Sequence, residues 1–425
     1  MKICVIGAGS PYTSEIVERL AQMQETLPVK EIMLMDIDER RLDIIHGFCQ
    51  RFAAKLGLDA AITKTTDRKK AIKGAEFINT QIRVGGNSAR ANDEKIPLSM
   101  GFLGQETTGA GGLAKGLRTI PAMLDIARDV EELSPQAWII NYTNPSGLVA
   151  EAVTRYTHAK IVGLCAGGMQ PRQWTAGALK VRPEDVRYNF AGLNHMNFAY
   201  NITVHDHLLT PEEFKLVTEY IADTAGQRGY VDKELMMKLG VLPSSYLQYY
   251  FHTEKKLEEL RKAPLTRGEV VLELEKEFFK DFANPNIDTK PESLKKRGGT
   301  GYSELATMVM DAIHNNRDTW VVANTTNRGI FPLLPGEAVI ETPCMINAAG
   351  VMPIAQEPPP KAVWGLIAAV KNYEMLAVEA AATGSRDMAL LALLAHPLTG
   401  DYAISKKLLD KLLEVNKEYL PYFFK

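Results

Sequence analysis

Lys2-Ile3-Cys4-Val5-Ile6-Gly7-Ala8-Gly9-Ser10-Pro11-Tyr12-Thr13 reads as a short buried strand, a glycine turn and the start of a helix. Gly7 and Gly9 permit a tight turn whose backbone N–H groups can approach a pyrophosphate, and the helix N-terminus adds the positive end of its dipole. Ser10 suits the N-cap and Pro11 the first helical position. The next predicted strand, 31–36, closes on Asp36, whose carboxylate suits the ribose hydroxyls of NAD and disfavours the extra phosphate of NADP. Tyr12 stands near the place of a third glycine. The context therefore carries the reading: a strand before the turn, a helix after it, and an acid ending the following strand.

Working outward, apolar runs at 2–6, 31–36, 76–82, 137–142 and 160–164 alternate with helical patterns at 13–23, 39–56, 117–133 and 147–156. Buried runs alternating with helices predict a parallel sheet covered on both faces, with ligands at the carboxyl ends of its strands. After Cys165 the pattern changes. Strands are expected at 186–191 and 200–204 in another sheet, and later at 320–323 and 338–346. Helices are expected at 211–226, 233–239, 268–282 and from 361 onward. The reading is α/β: a parallel-sheet domain over 1–165 packed on an α+β domain over 166–425.

The chain has 425 residues, 46% hydrophobic and 24% charged, with a net charge of −2, which predicts more than one packed core and argues against nucleic-acid or polybasic membrane surfaces. No apolar stretch has the length of a membrane span, and 1–6 is too short for the apolar core of a signal peptide. Cys4, Cys49, Cys165 and Cys344 are scattered, which fits a reducing cytoplasm better than a disulfide framework.

Polar motifs cluster at the predicted strand ends. Arg83-Val84-Gly85-Gly86 follows the third strand, with Arg90, Asp93 and Glu94 beyond it. The stretch 104–112, Gly-Gln-Glu-Thr-Thr-Gly-Ala-Gly-Gly, is too glycine-rich for a helix or strand and reads as a loop where backbone meets ligand or as a plain connector. Asn141 and Asn144, in Asn141-Tyr142-Thr143-Asn144-Pro145, either cap the next helix or bind ribose or sugar hydroxyls. Cys165 and His195 alone read as core residues or metal ligands, and Tyr246, Tyr249 and Tyr250 as one packed helical cluster. Lys296-Arg297-Gly298-Gly299-Thr300-Gly301-Tyr302-Ser303 suits a phosphate or a solvated turn.

Together these motifs resemble glycoside hydrolase family 4, nearest its 6-phospho-β-glucosidase branch: GAGSPYT, RVGG, DEKIPL, GQETTGAGG, NYTNPSG, the pair Cys165 and His195, KRGGTGYS, NTTNRG and HPL occur in the family's order. The resemblance implies a Rossmann-like first domain and a second domain like the substrate domain of lactate and malate dehydrogenases. It implies bound NAD, with Gly7, Gly9, Ser10, Asp36, Arg83 and Asn141 at the cofactor, and a divalent metal such as Mn2+ on Cys165 and His195. Tyr246 matches the base, and Arg90, Asn144 and Arg267 match substrate contacts. The implied reaction removes hydride from C3 and a proton from C2 of a phosphorylated glycoside, eliminates the aglycone, adds water and returns the hydride. A homodimer or homotetramer is implied as well.

One position departs from the branch. Asparagine normally follows the metal cysteine there, and aspartate in the α-acting branch; here Cys165 is followed by Ala166-Gly167-Gly168. The reading is thus a cytoplasmic 6-phospho-β-glucosidase. The same chemistry on an unphosphorylated or α-linked glycoside is the first alternative. A 2-hydroxy-acid dehydrogenase and a non-catalytic NAD sensor are the others, and Cys165, His195 and Tyr246 argue against both.

Overall fold

The computed structural model describes residues 1–224, 231–292, 294 and 301–424. Gly226, at the predicted end of one helix, and Lys296 to Thr300 of the phosphate-type turn lie outside the described residues.

The first apolar runs become β1 (Lys2–Ile6), β2 (Glu31–Met35), β3 (Ala61–Thr65), β4 (Phe77–Thr80), β5 (Trp138–Asn141) and β6 (Lys160–Gly163). All are parallel, in the spatial order β3-β2-β1-β4-β5-β6. The order reverses between β1 and β4, so the glycine turn after β1 and the polar segment after β4 share the crevice where such sheets bind ligands. Helix Glu39–Leu56 forms where the spacing predicts it. Asp38 caps it by accepting from the Arg41 N–H, and Gly57 closes it at φ 69°. Leu42, Ile45, Phe48 and Phe52 on its inner face pack onto the sheet.

Beyond β6 the expected strands divide between two sheets. β7 (Val186–Leu193), β8 (Met196–Val204), β9 (His207–Leu208) and β10 (Leu242–Pro243) form a small antiparallel sheet. By contrast, β11 (Thr319–Thr326), β12 (Val339–Asn347) and β13 (Gly350–Pro353) extend the first sheet antiparallel from β6, meeting it at the pair Asn324 and Gly163. A side chain at Gly163 would put its Cβ 2.9 Å from both Asn324 Cβ and Ser146 Oγ, so this join needs glycine. The second large core packs β7 and β8 against the C-terminal helices Lys361–Thr383, Arg386–Ala395 and Tyr402–Val415.

Four local expectations are corrected. β3 was not foreseen, because an edge strand half open to solvent lacks a continuous apolar run. The helix expected at 117 begins at Gly109, so part of the glycine-rich stretch is helical. Packing overrides propensity there. A Cβ on Gly111 would come within 2.2 Å of the Gln105 carbonyl oxygen, and one on Gly112 within 2.7 Å of that of Thr107. The first helix begins at Thr13 with Tyr12 at its N-cap, because Ser10 and Pro11 belong to the turn, where the Thr13 N–H donates to the Ser10 carbonyl at 3.0 Å. The three tyrosines do not share a face. Tyr246 sits in the short 3-10 turn Ser245–Leu247, while Tyr249 and Tyr250 belong to the next turn, Gln248–Phe251.

Candidate active site

At the switch point, the Gly7 and Ala8 N–H groups both donate to the Met35 carbonyl at 2.9 Å, folding the turn over the end of β2. Gly7 has φ 90°, and a Cβ there would meet the Gln81 carbonyl oxygen at 2.8 Å. Asp36 Oδ2 accepts from the Gly9 N–H at 2.7 Å and its Oδ1 from the Asp38 N–H at 3.0 Å. A Cβ on Gly9 would meet Asp36 Oδ2 at 2.8 Å, so neither glycine admits a side chain. The N–H groups of Gly7, Ala8 and Gly9, expected to face a pyrophosphate, are engaged within the protein, and the helix start beyond them is the part of the turn that suits a dinucleotide. Asn141 is fully enclosed. Its amide donates to the Thr143 carbonyl and Ser146 Oγ and accepts from Thr80 Oγ1 and the Thr143 N–H, so it braces the end of β5.

Next to it lies a knot of charge that the sequence did not disclose. Glu106 accepts from Arg83, from Lys115 at 2.7 Å and from Arg90 at 3.1 Å. Burial pushes Glu106 up, but Arg83, Lys115 and Arg90 outweigh it and hold the carboxyl well below the usual range. Arg90 also donates to Glu94 Oε1 at 2.9 Å, whose other oxygen accepts from the Gly268 N–H at 2.7 Å. That bond brings the start of helix Arg267–Ala283 against Arg90, with Arg267 on its exposed side. Glu106 was visible within a glycine-rich motif. Its role was not, since its partners come from separate segments.

Thr107, the next residue, reaches His195. The Thr107 hydroxyl donates to Gln105 Oε1 at 3.0 Å, and His195 Nδ1 lies 2.9 Å from the same hydroxyl oxygen. With the hydroxyl proton committed to Gln105, Nδ1–H of His195 donates to Thr107 and the Nε2 lone pair is left as a ligand. Burial lowers the His195 pKa to about 3, so the imidazole is neutral. His195 occupies the β7–β8 turn at φ 65°, and its ring stacks on Tyr246 at 3.8 Å with 4° between planes.

Cys165 follows β6. Burial, and after it the charge of Glu341, push its thiol up to about 12. Tyr246 is raised as well, by burial and then by Cys165 and Glu106. The structure thus gathers His195, Tyr246 and Arg90 around Glu106 and Thr107, with Cys165 near enough to act on Tyr246. Asn144 Nδ2 donates to the Tyr142 carbonyl at 3.3 Å, whereas its Oδ1 is buried without a partner in the protein. A thiol and a neutral imidazole suit a divalent transition metal and leave positions for other oxygens. Among the described residues no group of three or more His, Cys, Asp and Glu forms a fuller cage, and no helix is long and apolar enough to cross a membrane.

Known proteins carry the same architecture. The profile described as "Family 4 glycosyl hydrolase" matches residues 2–179, and that of the family's C-terminal domain matches residues 190–399. A Bacillus subtilis protein named "Probable 6-phospho-beta-glucosidase" is 41% identical over 100% of this chain and 98% of its own length. The Thermotoga maritima 6-phospho-β-glucosidase, solved with manganese, NAD+ and glucose-6-phosphate, superposes with a TM-score of 0.91 at 33% identity, covering 99% of each chain. Lactate dehydrogenase from Eimeria maxima superposes with a TM-score of 0.56 at 13% identity over 91% of this chain and 98% of its own, a likeness of fold alone. The two-domain layout expected by likeness to the dehydrogenases is therefore present. Matched along both domains and over its whole length, this chain belongs to the family 4 glycosyl hydrolases.

Proposed function

We propose that the enzyme hydrolyses a 6-phospho-β-glucoside, with NAD+ and a divalent metal, Mn2+ first among candidates, as resident cofactors. The observation that carries this reading is a phenol stacked on a prospective metal ligand: Tyr246 against His195, with the Cys165 sulfur close enough to weaken the phenol as an acid. When bound, NAD+ supplies reversible oxidation at C3 of the sugar and the metal polarises the C2 and C3 oxygens. Cys165 and His195 Nε2 hold the metal, and Tyr246 takes the C2 proton. Arg90 and Asn144 orient the sugar, with Arg267 on the side of its phosphate. Gly7, Gly9, Ser10 and Asp36 line the cofactor turn, braced by Arg83 and Asn141. Tyr246 is a poor base while its neighbours are a thiol and a carboxylate, and a dication alongside reverses that influence. The B. subtilis and T. maritima relatives support the phosphorylated β-glucoside.

Ala166 favours a second reading, in which the same chemistry acts on an α-linked or unphosphorylated glycoside. Its methyl group makes no hydrogen bond where the β-acting branch carries an amide.

The test is a panel of aryl glycosides in both anomers, with and without 6-phosphate, turned over in D2O with NAD+, Mn2+ and a reductant. Aglycone release from the 6-phospho-β-glucoside with deuterium at C2 of the sugar is expected, and Tyr246→Phe should lose both. Hydrolysis that retains the C2 hydrogen would sink the elimination chemistry. NADH accumulating without aglycone would sink hydrolysis itself, and preferential turnover of another glycoside would establish the second reading.

A further inference from the structure

Glu341 in β12 is wholly buried, and its carboxylate meets three amides from three other places in the chain. Asn194 Nδ2, in the β7–β8 turn, lies 3.3 Å from Oε1, and Asn324 Nδ2, in β11, lies 3.0 Å from the same oxygen. Asn197 Nδ2, in β8, donates to Oε2 at 2.5 Å. Among the described residues no basic side chain forms an ion pair with Glu341. The amides satisfy its lone pairs and leave its charge uncompensated, an expensive arrangement in a protein interior. A glutamine would keep the two bonds at one oxygen and trade the third for one to a flipped Asn197, losing that residue's bond to the Leu193 carbonyl but burying no charge. A scaffold role alone therefore accounts for the hydrogen bonds and leaves the charge unexplained.

The surroundings point to what compensates it. Asn194, which bonds Glu341, immediately precedes His195, and Asn324, which bonds the same oxygen, also donates to the Gly163 carbonyl at 3.3 Å, two residues before Cys165. Gly147 packs against the same corner, where a Cβ would meet Asn194 Cβ at 3.2 Å and Glu374 Oε1 at 3.3 Å. Glu374 faces Lys371 at 2.5 Å on its far side, a lysine that Glu151 shares at the same distance. Among the described residues Glu341 has no such cation.

We propose that Glu341 is a positioning residue for the metal pair. Through Asn194 it fixes the turn carrying His195, through Asn324 the end of β6 just before Cys165, and its negative charge is the outer counter-charge of the dication those two residues hold. The inference rests on Cys165 and His195 being that pair.

The experiment measures Mn2+ binding to the NAD+-loaded enzyme from the electron paramagnetic resonance signal of free Mn2+, with NAD+ affinity and melting temperature followed in parallel. Glu341→Gln should raise the Mn2+ dissociation constant about tenfold or more while NAD+ affinity is unchanged, and Glu341→Asp should recover part of the loss. A folded Glu341→Gln enzyme with wild-type Mn2+ affinity overturns the proposal, whatever its melting temperature. Should Glu341→Gln fail to fold, Asn194→Ser, which removes the bond between Glu341 and the turn carrying His195, is read the same way. Cys165→Ser serves as the control. If it keeps Mn2+ binding, the assignment of the metal pair is wrong; if it loses binding and Glu341→Gln does not, only the present inference fails.

Discussion

Cys165 can ligate only as a thiolate, yet its buried thiol titrates at about 12. His195, at about 3, is already neutral at any working pH. Metal capture must therefore release the cysteine proton and no imidazole proton. Apparent Mn2+ affinity should rise about tenfold per pH unit between roughly pH 6 and 8, with about one proton released per ion. Calorimetry in two buffers of different ionisation heat counts that proton, and a pH-independent affinity would remove Cys165 from the ligand set. Cys165, His195 and Tyr246 were legible as candidates only through the family resemblance, since each alone also reads as a core residue. Glu106 and Glu341 were not, because their meaning lies in partners far along the chain: Asn194 meets Glu341 across 147 residues. Nothing in the sequence marks one glutamate as the acceptor of three asparagines.

Among the elements, the short 3-10 turn Ala166–Met169 decides where Cys165 points. A Cβ on Gly168 would lie 2.5 Å from Val322 Cγ1 and 2.8 Å from Val322 Cβ, so the turn lies hard against β11. Gly167 has room, its nearest contact being the Cys165 sulfur at 3.4 Å. Gly168→Ala should therefore cost about 1–3 kcal/mol and weaken Mn2+ binding by shifting the turn, whereas Gly167→Ala should leave the melting temperature nearly unchanged. Thermal scans of both variants check this, and equal effects would mean that β11 does not hold the turn. The predicted elements agree best at the parallel strands buried on both faces, since continuous apolar runs announce them. Agreement fails at the edge strand β3, at the buried start of β8, at the glycine-rich helix start and at helix Gly86–Ser99, where exposure, close packing or the lack of an apolar stripe masks the pattern.

For the molecule as a whole, buried titratable groups set opposing slopes of stability against pH. His195 and His396 are held down to about 3 by burial, so below about 6.5 the unfolded chain binds two protons that the native state refuses. Glu341 and Glu374 are pushed up to about 7, so between 4.5 and 7 the native state keeps two protons that the unfolded chain gives up. Over the shared window the two effects offset each other. Below 4.5 only the histidines still act, reinforced by Glu106, which the native state holds ionised. Stability should hence be nearly level from about pH 6.5 to 4.5 and fall steeply from there toward 3. Urea unfolding across that range tests the shape, and a steady decline beginning at 6.5 would show that the two glutamates titrate normally.

The join between β6 and β11 has a consequence for synthesis. The six parallel strands are complete once Gly163 has been made, but the strand that covers the open edge of β6 arrives with Asn324. At ribosomal speeds that interval lasts roughly 8–30 s, far longer than the collapse of a domain this size. Throughout it the nascent chain presents Lys160-Ile161-Val162-Gly163 as an unpaired edge, a template for pairing with a neighbouring chain on the same message. The parallel half of the sheet is thus made early and must wait, edge open, for the strands that close it.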